Sequence, residues 1–255
     1  MITLIEALNY RCLRYVRQPL GSFHVLVGPN ASGKTTFLDV VGFLHDLVSK
    51  GLDEAITSRA ANPSDLTWRH EGDGFELAIE ARIPEEKRKL LGELDYDTVR
   101  YEVAIRFNTE SQQVEIAEEK GWLKWAEPPP EETEVSLFPA DQERPPTLIR
   151  SEGRVGLSGM SFYKEASRDD HYFTEGVNEY TLRRQGHSFT LGPRKSTLGN
   201  LPEDEIGFPV SSWLKGFLSG GIEKIELDSS QMRLASPPGR GYGFRPDGSN
   251  LPWVI

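Results

Sequence analysis

The sequence predicts an α/β fold with an antiparallel, β-rich arm, and three features carry that prediction. A short, mostly apolar run, Phe23-His24-Val25-Leu26-Val27, is broken by a glycine-bearing loop and followed by a helix-periodic segment. Leu66 to Arg82 and Tyr101 to Phe107 alternate apolar with polar residues, as strands do. Val210 to Leu218 returns to helical spacing near the end of the chain.

In chain order, Ile2–Ala7 and Arg11–Val16 read as two short strands around a turn at Asn9-Tyr10. Residues 23–27 have the length and apolarity of a buried strand. In the helix that follows, Phe37, Val40, Val41, Leu44, Leu47 and Val48 share one face. Gly51 marks its stop. Phe75 to Glu80, Tyr101 to Phe107 and Gln113 to Ile116 are expected to form antiparallel strands with one wet face. Pro128 to Glu132 and Arg144 to Pro146 are loops. Ser161 to Arg184 reads as partly helical and Ile222 to Leu227 as a strand, with a Gly/Pro/Arg-rich loop from Ser236 to Ser249. This divides the chain into a core at 1–60, a β-rich arm at 61–200 and a return to the core at 201–255.

Composition narrows the function classes. With 29 basic and 39 acidic residues the net charge is −10, which argues against a general nucleic-acid coat. Arg11, Arg14 and Arg17 form one local basic cluster and Arg183-Arg184 another, both read as solvated charge. No apolar run reaches the roughly 18 residues of a membrane span, and the N-terminus lacks the pattern of a secretory signal. Cys12 is the only cysteine, so no disulfide forms within the chain. A cytoplasmic protein is expected.

Gly28-Pro29-Asn30-Ala31-Ser32-Gly33-Lys34-Thr35 matches G-x-x-x-x-G-K-[ST] in full. The spacing has a physical reason. A phosphate needs several backbone N–H donors converging on it, and a loop wrapped ahead of a helix N-terminus supplies them. Glycines allow the sharp turn and the close approach. Lys34 is expected between the β- and γ-phosphates, the Thr35 hydroxyl on Mg²⁺ and Thr36 at the α-phosphate. The expected ligands are therefore ATP and Mg²⁺.

The longer run Gly28 to Asp39, Gly-Pro-Asn-Ala-Ser-Gly-Lys-Thr-Thr-Phe-Leu-Asp, resembles the nucleotide loop of ABC-type AAA ATPase heads of the RecF, SMC and OLD kind. Asn9-Tyr10-Arg11 sits where such heads carry an Asn-aromatic-Arg turn, and Asp247-Gly248-Ser249-Asn250-Leu251 resembles an element that precedes their helical insertion. The resemblance implies a phosphate-loop NTPase of ABC-head type and places Arg11 near the nucleotide. It also implies heads that dimerise around ATP, as a homodimer, with DNA and a nuclease as further partners in repair or anti-phage defence.

The same resemblance exposes a gap. Such heads hydrolyse ATP with a Walker B strand, a signature motif and a switch histidine, all beyond the Asp-Gly-Ser-Asn-Leu element. Leu218-Ser219-Gly220-Gly221 spells a signature, but it closes an expected helix instead of opening one, so it reads as a C-cap. Ile222 to Asp228 alternates with charge and does not suit a central Walker B strand. Asp169-Asp170-His171 reads as a polar loop, not a metal site. The expectation is an incomplete head with no catalytic residue in this chain. A non-hydrolysing module that docks a partner or nuclease is the alternative, and a small-molecule kinase a distant third.

Overall fold

The computed structural model describes residues 1–92, 94, 96–108, 113–125, 143–150, 159–165, 169–175, 185–234 and 245–250. Two compact units result, Met1–Ser219 and Gly220–Ile255.

The first unit is built on one eight-stranded antiparallel sheet with the order β2-β1-β3-β4-β5-β6-β7-β8. Its strands are β1 (Ile2–Tyr10), β2 (Leu13–Pro19), β3 (Gly74–Arg82), β4 (Thr98–Asn108), β5 (Gln113–Lys124), β6 (Met160–Glu165), β7 (Asp170–Phe173) and β8 (Gly186–Phe189). The first two strands thus belong to the same sheet as the β-rich arm. Tight pairing places β1 between β2 and β3, with Ala7 opposite both Val16 and Leu77. The hairpin turn falls at Arg11-Cys12, beyond the expected Asn9-Tyr10, because Asn9 and Arg11 take φ of 59° and 50° on either side of a still-paired Tyr10.

Alternation sorts the sheet residues onto two faces. Ile5, Ala7, Leu77, Ile79, Tyr101, Val103, Leu123, Phe162 and Tyr172 share the apolar face. Helix α1 (Lys34–Ser49) adds to this core through Phe43, which packs edge-on against Tyr10 and Phe75 at 6.0 and 5.3 Å. Gly121 is required here, because a Cβ would collide with the Phe162 ring. The helix buries Phe37, Val40, Phe43, Leu44, Leu47 and Val48. Phe43 replaces the expected Val41 at one edge of that stripe, and the other five positions are as expected. The helix ends at Ser49, with Gly51 at φ 95° leading into α2 (Leu52–Thr57).

The second face was expected to be wet, and the structure corrects this. All of β3 except Arg82 is buried, including Glu76 and Glu80. The physical reason is a cover of chain at 147–150, tied down by the sheet's own charges. Glu76 accepts from the Leu148 amide (2.6 Å) and the Thr147 hydroxyl (2.8 Å), and Glu102 accepts from the Arg150 amide (3.0 Å). Arg100 donates to Glu6 (2.5 Å), Glu80 (3.4 Å), Glu102 (3.0 Å) and the Leu148 carbonyl (3.3 Å). Charged residues that read as solvent-facing are buried because each finds a counter-charge or a backbone donor.

Two further expectations need correction. Ser161 to Arg184 is not helical where it is described. It forms β6 and β7, because Phe162 and Tyr172 reach the apolar face from paired strands. Residues 166–168 and 176–184, with Arg183-Arg184, lie outside the described residues. The run Phe23 to Val27 is not a buried strand. Phe23 is 82% and Val27 89% exposed, and the run joins no ladder among the described residues. An apolar run becomes a buried strand only beside a hydrogen-bonding neighbour, and this sheet gives it none.

Between β3 and β4 lies the short helix α3 (Glu85–Arg88). The expected C-terminal helix is present as α4 (Pro209–Gly220). A carboxylate far away in sequence holds its first turn: Glu175 accepts from the Val210 and Ser211 amides and from the Ser161 and Ser211 hydroxyls. Glu119 plays the same part for residues 196–198, accepting from the Thr197 and Leu198 amides and the Ser196 and Tyr101 hydroxyls. Burial pushes both carboxyls above their ordinary pKa despite these donors.

In the second unit, the strand expected at Ile222 to Leu227 does not form. Two backbone bonds join this stretch to the last described segment, from Glu226 N–H to Pro246 O and from Asp228 N–H to Asp247 O. Helix α5 (Ser229–Met232) is capped by Asp228. Asp247 accepts from the Ser249 amide, and Asn250 accepts from Arg245 N–H. Leu251 to Ile255 lie outside the described residues.

Candidate functional site

The glycine-bearing loop wraps directly into α1. Gly33 is the N-cap, at φ 90°, and its carbonyl accepts the Phe37 amide (2.8 Å). Ala31 has φ 62°, and Ser32 N–H bonds back to Pro29 O (3.3 Å), so the chain closes on itself across the loop. At Gly28 a Cβ would stand 2.9 Å from the Ser32 hydroxyl, crowding the ring. Gly33 also lies close against the β1–β2 turn, where a Cβ would meet Cys12 Sγ and Leu13 at 3.3 Å. Both glycines therefore sit where the backbone needs them.

Lys34 turns back over the loop. Its ammonium donates to Gly28 O (2.9 Å), Pro29 O (2.7 Å) and Ser32 Oγ (3.2 Å). These are uncharged acceptors, and an anion in the loop would compete well with them. Thr35 is exposed in the first turn of α1 and Thr36 is half-buried beside it. No acidic residue stands in that first turn, so the positive end of the helix is not neutralised there. Pro29 and Asn30 are exposed, as are Gly28, Ala31 and Ser32.

Arg11 is brought to the same corner. Its guanidinium pairs with Asp39 at 3.2 Å, one turn into α1. Asp39 is a hub that the motif did not reveal. It also accepts from the Tyr10 hydroxyl (2.7 Å) and from Arg59 (2.9 Å). The signal was present in the spacing, since Asp39 lies four residues after Thr35 on the helix. Arg59 further pairs with Asp46 (2.7 Å) and lies over the Phe43 ring (5.3 Å), fixing α2 to α1. Its partners hold Asp46 below the usual carboxylate range through hydrogen bonds from Lys50 and Arg59, which outweigh the opposing effect of burial. Cys12 Sγ lies 3.3 Å from Thr36 Oγ1. The basic cluster read as solvated charge is split by the fold, with Arg11 on Asp39, Arg17 on Glu6 (3.5 Å) and Arg14 over Trp68.

The signature-like run falls as expected, but the polar loop expected at Asp169-Asp170-His171 needs correction: Asp170 and His171 belong to strand β7, because they pair with Phe189 and with Tyr163 and Ser188. Leu218 to Gly220 closes α4, as a helix end and not a helix start. Asp170 is buried on Lys164 (2.8 Å) and the Thr197 hydroxyl (2.5 Å). Among the described residues no group of three or more His, Cys, Asp or Glu is placed to hold a metal.

Residues 23–172, more than half of the chain, match the family described as AAA domain, putative AbiEii toxin, Type IV TA system. The chain belongs to this AAA family. Membership bears out the α/β, phosphate-loop fold class and the recognition of an ABC-type AAA ATPase. The AAA domain here carries its loop at the start of the matched region and the antiparallel arm behind it. No curated protein matches the sequence. Among solved structures, the AAA domain is similar to one described under "Structural biochemistry of ATP-driven dimerization and DNA stimulated activation of SMC ATPases". That similarity has 21% identity and a TM-score of 0.34, and covers 49% of this chain and 69% of that one. No helix among the described residues is long and apolar enough to cross a membrane.

Proposed function

We propose that this AAA domain binds Mg-ATP through residues 28–36. The observation that carries the reading is the loop that turns through Gly33 into α1 with the Lys34 ammonium held over it by uncharged acceptors alone. The residues fit the ligand: backbone turns at Ala31 and Gly33, one cation, and a hydroxyl at Thr35 in the first helical turn. Lys34 would neutralise the β- and γ-phosphates, Thr35 would ligate Mg²⁺ and Thr36 would approach the α-phosphate. Arg11 would leave or share Asp39 to reach the nucleotide.

The wider reading follows the resemblance of residues 28–39 and 247–251. It makes this domain part of a homodimerising ABC-type ATPase that acts on DNA in repair or anti-phage defence, with a nuclease as a further partner. Hydrolysis then needs Walker B and signature residues supplied from outside residues 1–255. The closure of α4 by Leu218 to Gly220 supports that requirement, because those N–H groups do not open a helix.

Calorimetry tests the site. Wild-type chain should take up Mg-ATP and Lys34→Ala should not, while Thr35→Ala should lose the magnesium dependence. A Lys34→Ala chain that binds like wild type sinks the proposal. Steady Mg-dependent turnover by residues 1–255 alone would overturn the requirement for outside residues.

A further inference from the structure

An aromatic residue stacked with two cations adjoins the β1–β2 turn, which itself contacts the phosphate loop, and phosphate binding makes no use of it. Trp68 is half-buried, with the Arg14 guanidinium 5.3 Å and the Arg69 guanidinium 4.5 Å from its ring centroid. Arg14 and Arg69 are both exposed. The β1–β2 turn ties this stack to the loop. On one side Cys12 touches Thr36 and Gly33, and Arg11 and Tyr10 reach Asp39. On the other, Arg11 N–H bonds to Leu66 O (2.9 Å) and Tyr10 bridges to Thr67, the residue before Trp68. Arg14 stands two residues beyond Cys12, about 7 Å along an extended strand.

We propose that Trp68, with Arg14 and Arg69, is the platform on which the base of the bound nucleoside triphosphate stacks. This rests on the phosphate-loop reading and extends it from the phosphates to the nucleoside. The loop and helix end grip phosphates only, so the base must lie on whatever flanks them. An indole face that already attracts planar guanidiniums accepts a planar base in the same way, and an arginine plane can serve as the second layer. Arg69 and His70 hold φ of 55° and 56°, a left-handed conformation that non-glycine residues rarely keep and that recurs at ligand clamps. Stacking reads the π-face and not the base edge, so the site discriminates weakly between ATP and GTP.

The experiment compares two ligands, Mg-ATP and Mg-tripolyphosphate, which share phosphates and differ in the nucleoside. Trp68→Ala should weaken Mg-ATP binding by about tenfold and leave tripolyphosphate unchanged, and Trp68→Phe should restore most of the loss. Retained tripolyphosphate affinity also reports that the variant is folded. Equal losses on both ligands, or none on ATP, overturn the platform, as does a loss confined to a single-stranded oligonucleotide. A wild-type chain that binds tripolyphosphate as tightly as ATP overturns the platform alone. One that binds neither overturns the phosphate-loop reading and the platform with it.

Discussion

Arg100 and Lys34 are both cations close to a sheet–helix domain's polar machinery, yet the fold treats them in opposite ways. Arg100 is buried on three carboxylates and a carbonyl, and those charges hold it further above its ordinary pKa in spite of burial. Lys34 rests on two carbonyls and a hydroxyl of its own loop. A cation matched by buried anions is committed to the fold, because separating them strands charge away from water. A cation on neutral acceptors stays available to an incoming anion. The same amino-acid chemistry thus yields a rivet at Arg100 and, at Lys34, a cation held by neutral acceptors alone.

Breaking the rivet should have the largest effect. Arg100→Met leaves Glu6, Glu80 and Glu102 buried without their shared partner and should cost about 3–5 kcal/mol in urea denaturation. A cost below about 1 kcal/mol would mean that the carboxylates re-pair with Lys124 and Arg150, which also reach Glu80.

Glu175→Gln should come next. In either amide orientation the NH₂ would face one of the Val210 and Ser211 N–H groups, each of which a separate carboxylate oxygen now satisfies, costing about 1–3 kcal/mol. Its pH dependence sharpens the comparison with Arg100. The folded pKa of Glu175 is raised above the ordinary 4.5, so the native state binds its proton more tightly than the unfolded chain does. The carboxyl's contribution is then fully present below about pH 4.5 and is lost as pH rises through the raised value. The gap in urea midpoint between wild type and Glu175→Gln should therefore narrow as pH increases from that point. A gap that widens instead would show that the four donors outweigh burial.

Lys34→Ala should have the smallest effect on stability, within about 0.5 kcal/mol in the same assay, because no buried partner is stranded. Combined with loss of Mg-ATP binding, that outcome separates a ligand-binding cation from a structural one. A destabilisation as large as that of Arg100→Met would erase the distinction.

Much of the corner around the glycine-bearing loop was legible from residue order alone. The spacing Gly28, Gly33, Lys34, Thr35 is a local instruction, and the turn and helix form within a few residues of one another. Helices α1 and α4 were legible for the same reason, since a periodic apolar face is a property of one segment. What flanks the loop was not. Trp68 is separated from Thr36 by most of α1, by α2 and by a short 3-10 turn at Pro63–Leu66, and long-range contacts such as the Tyr10–Thr67 bridge and the Arg11–Leu66 hydrogen bond bring their segments together. The strand expected at Phe23 to Val27 failed because burial depends on a neighbouring strand, which five residues cannot specify.

By itself, then, the sequence determined the phosphate loop and the helix that it opens, together with the alternating segments that became β3, β4 and β5. These are short-range patterns, written in glycine positions and in periods of two and 3.6 residues. Tertiary structure alone decided which charges are buried, since Glu6, Glu76, Glu80 and Glu102 meet Arg100, Arg106 and the 147–150 segment only after strands distant in the chain pair. It also decided that β1 and β2 share one sheet with the arm, and that Asp39 gathers Tyr10, Arg11 and Arg59. Pairing partners and counter-charges are relations between segments, and no single segment carries them.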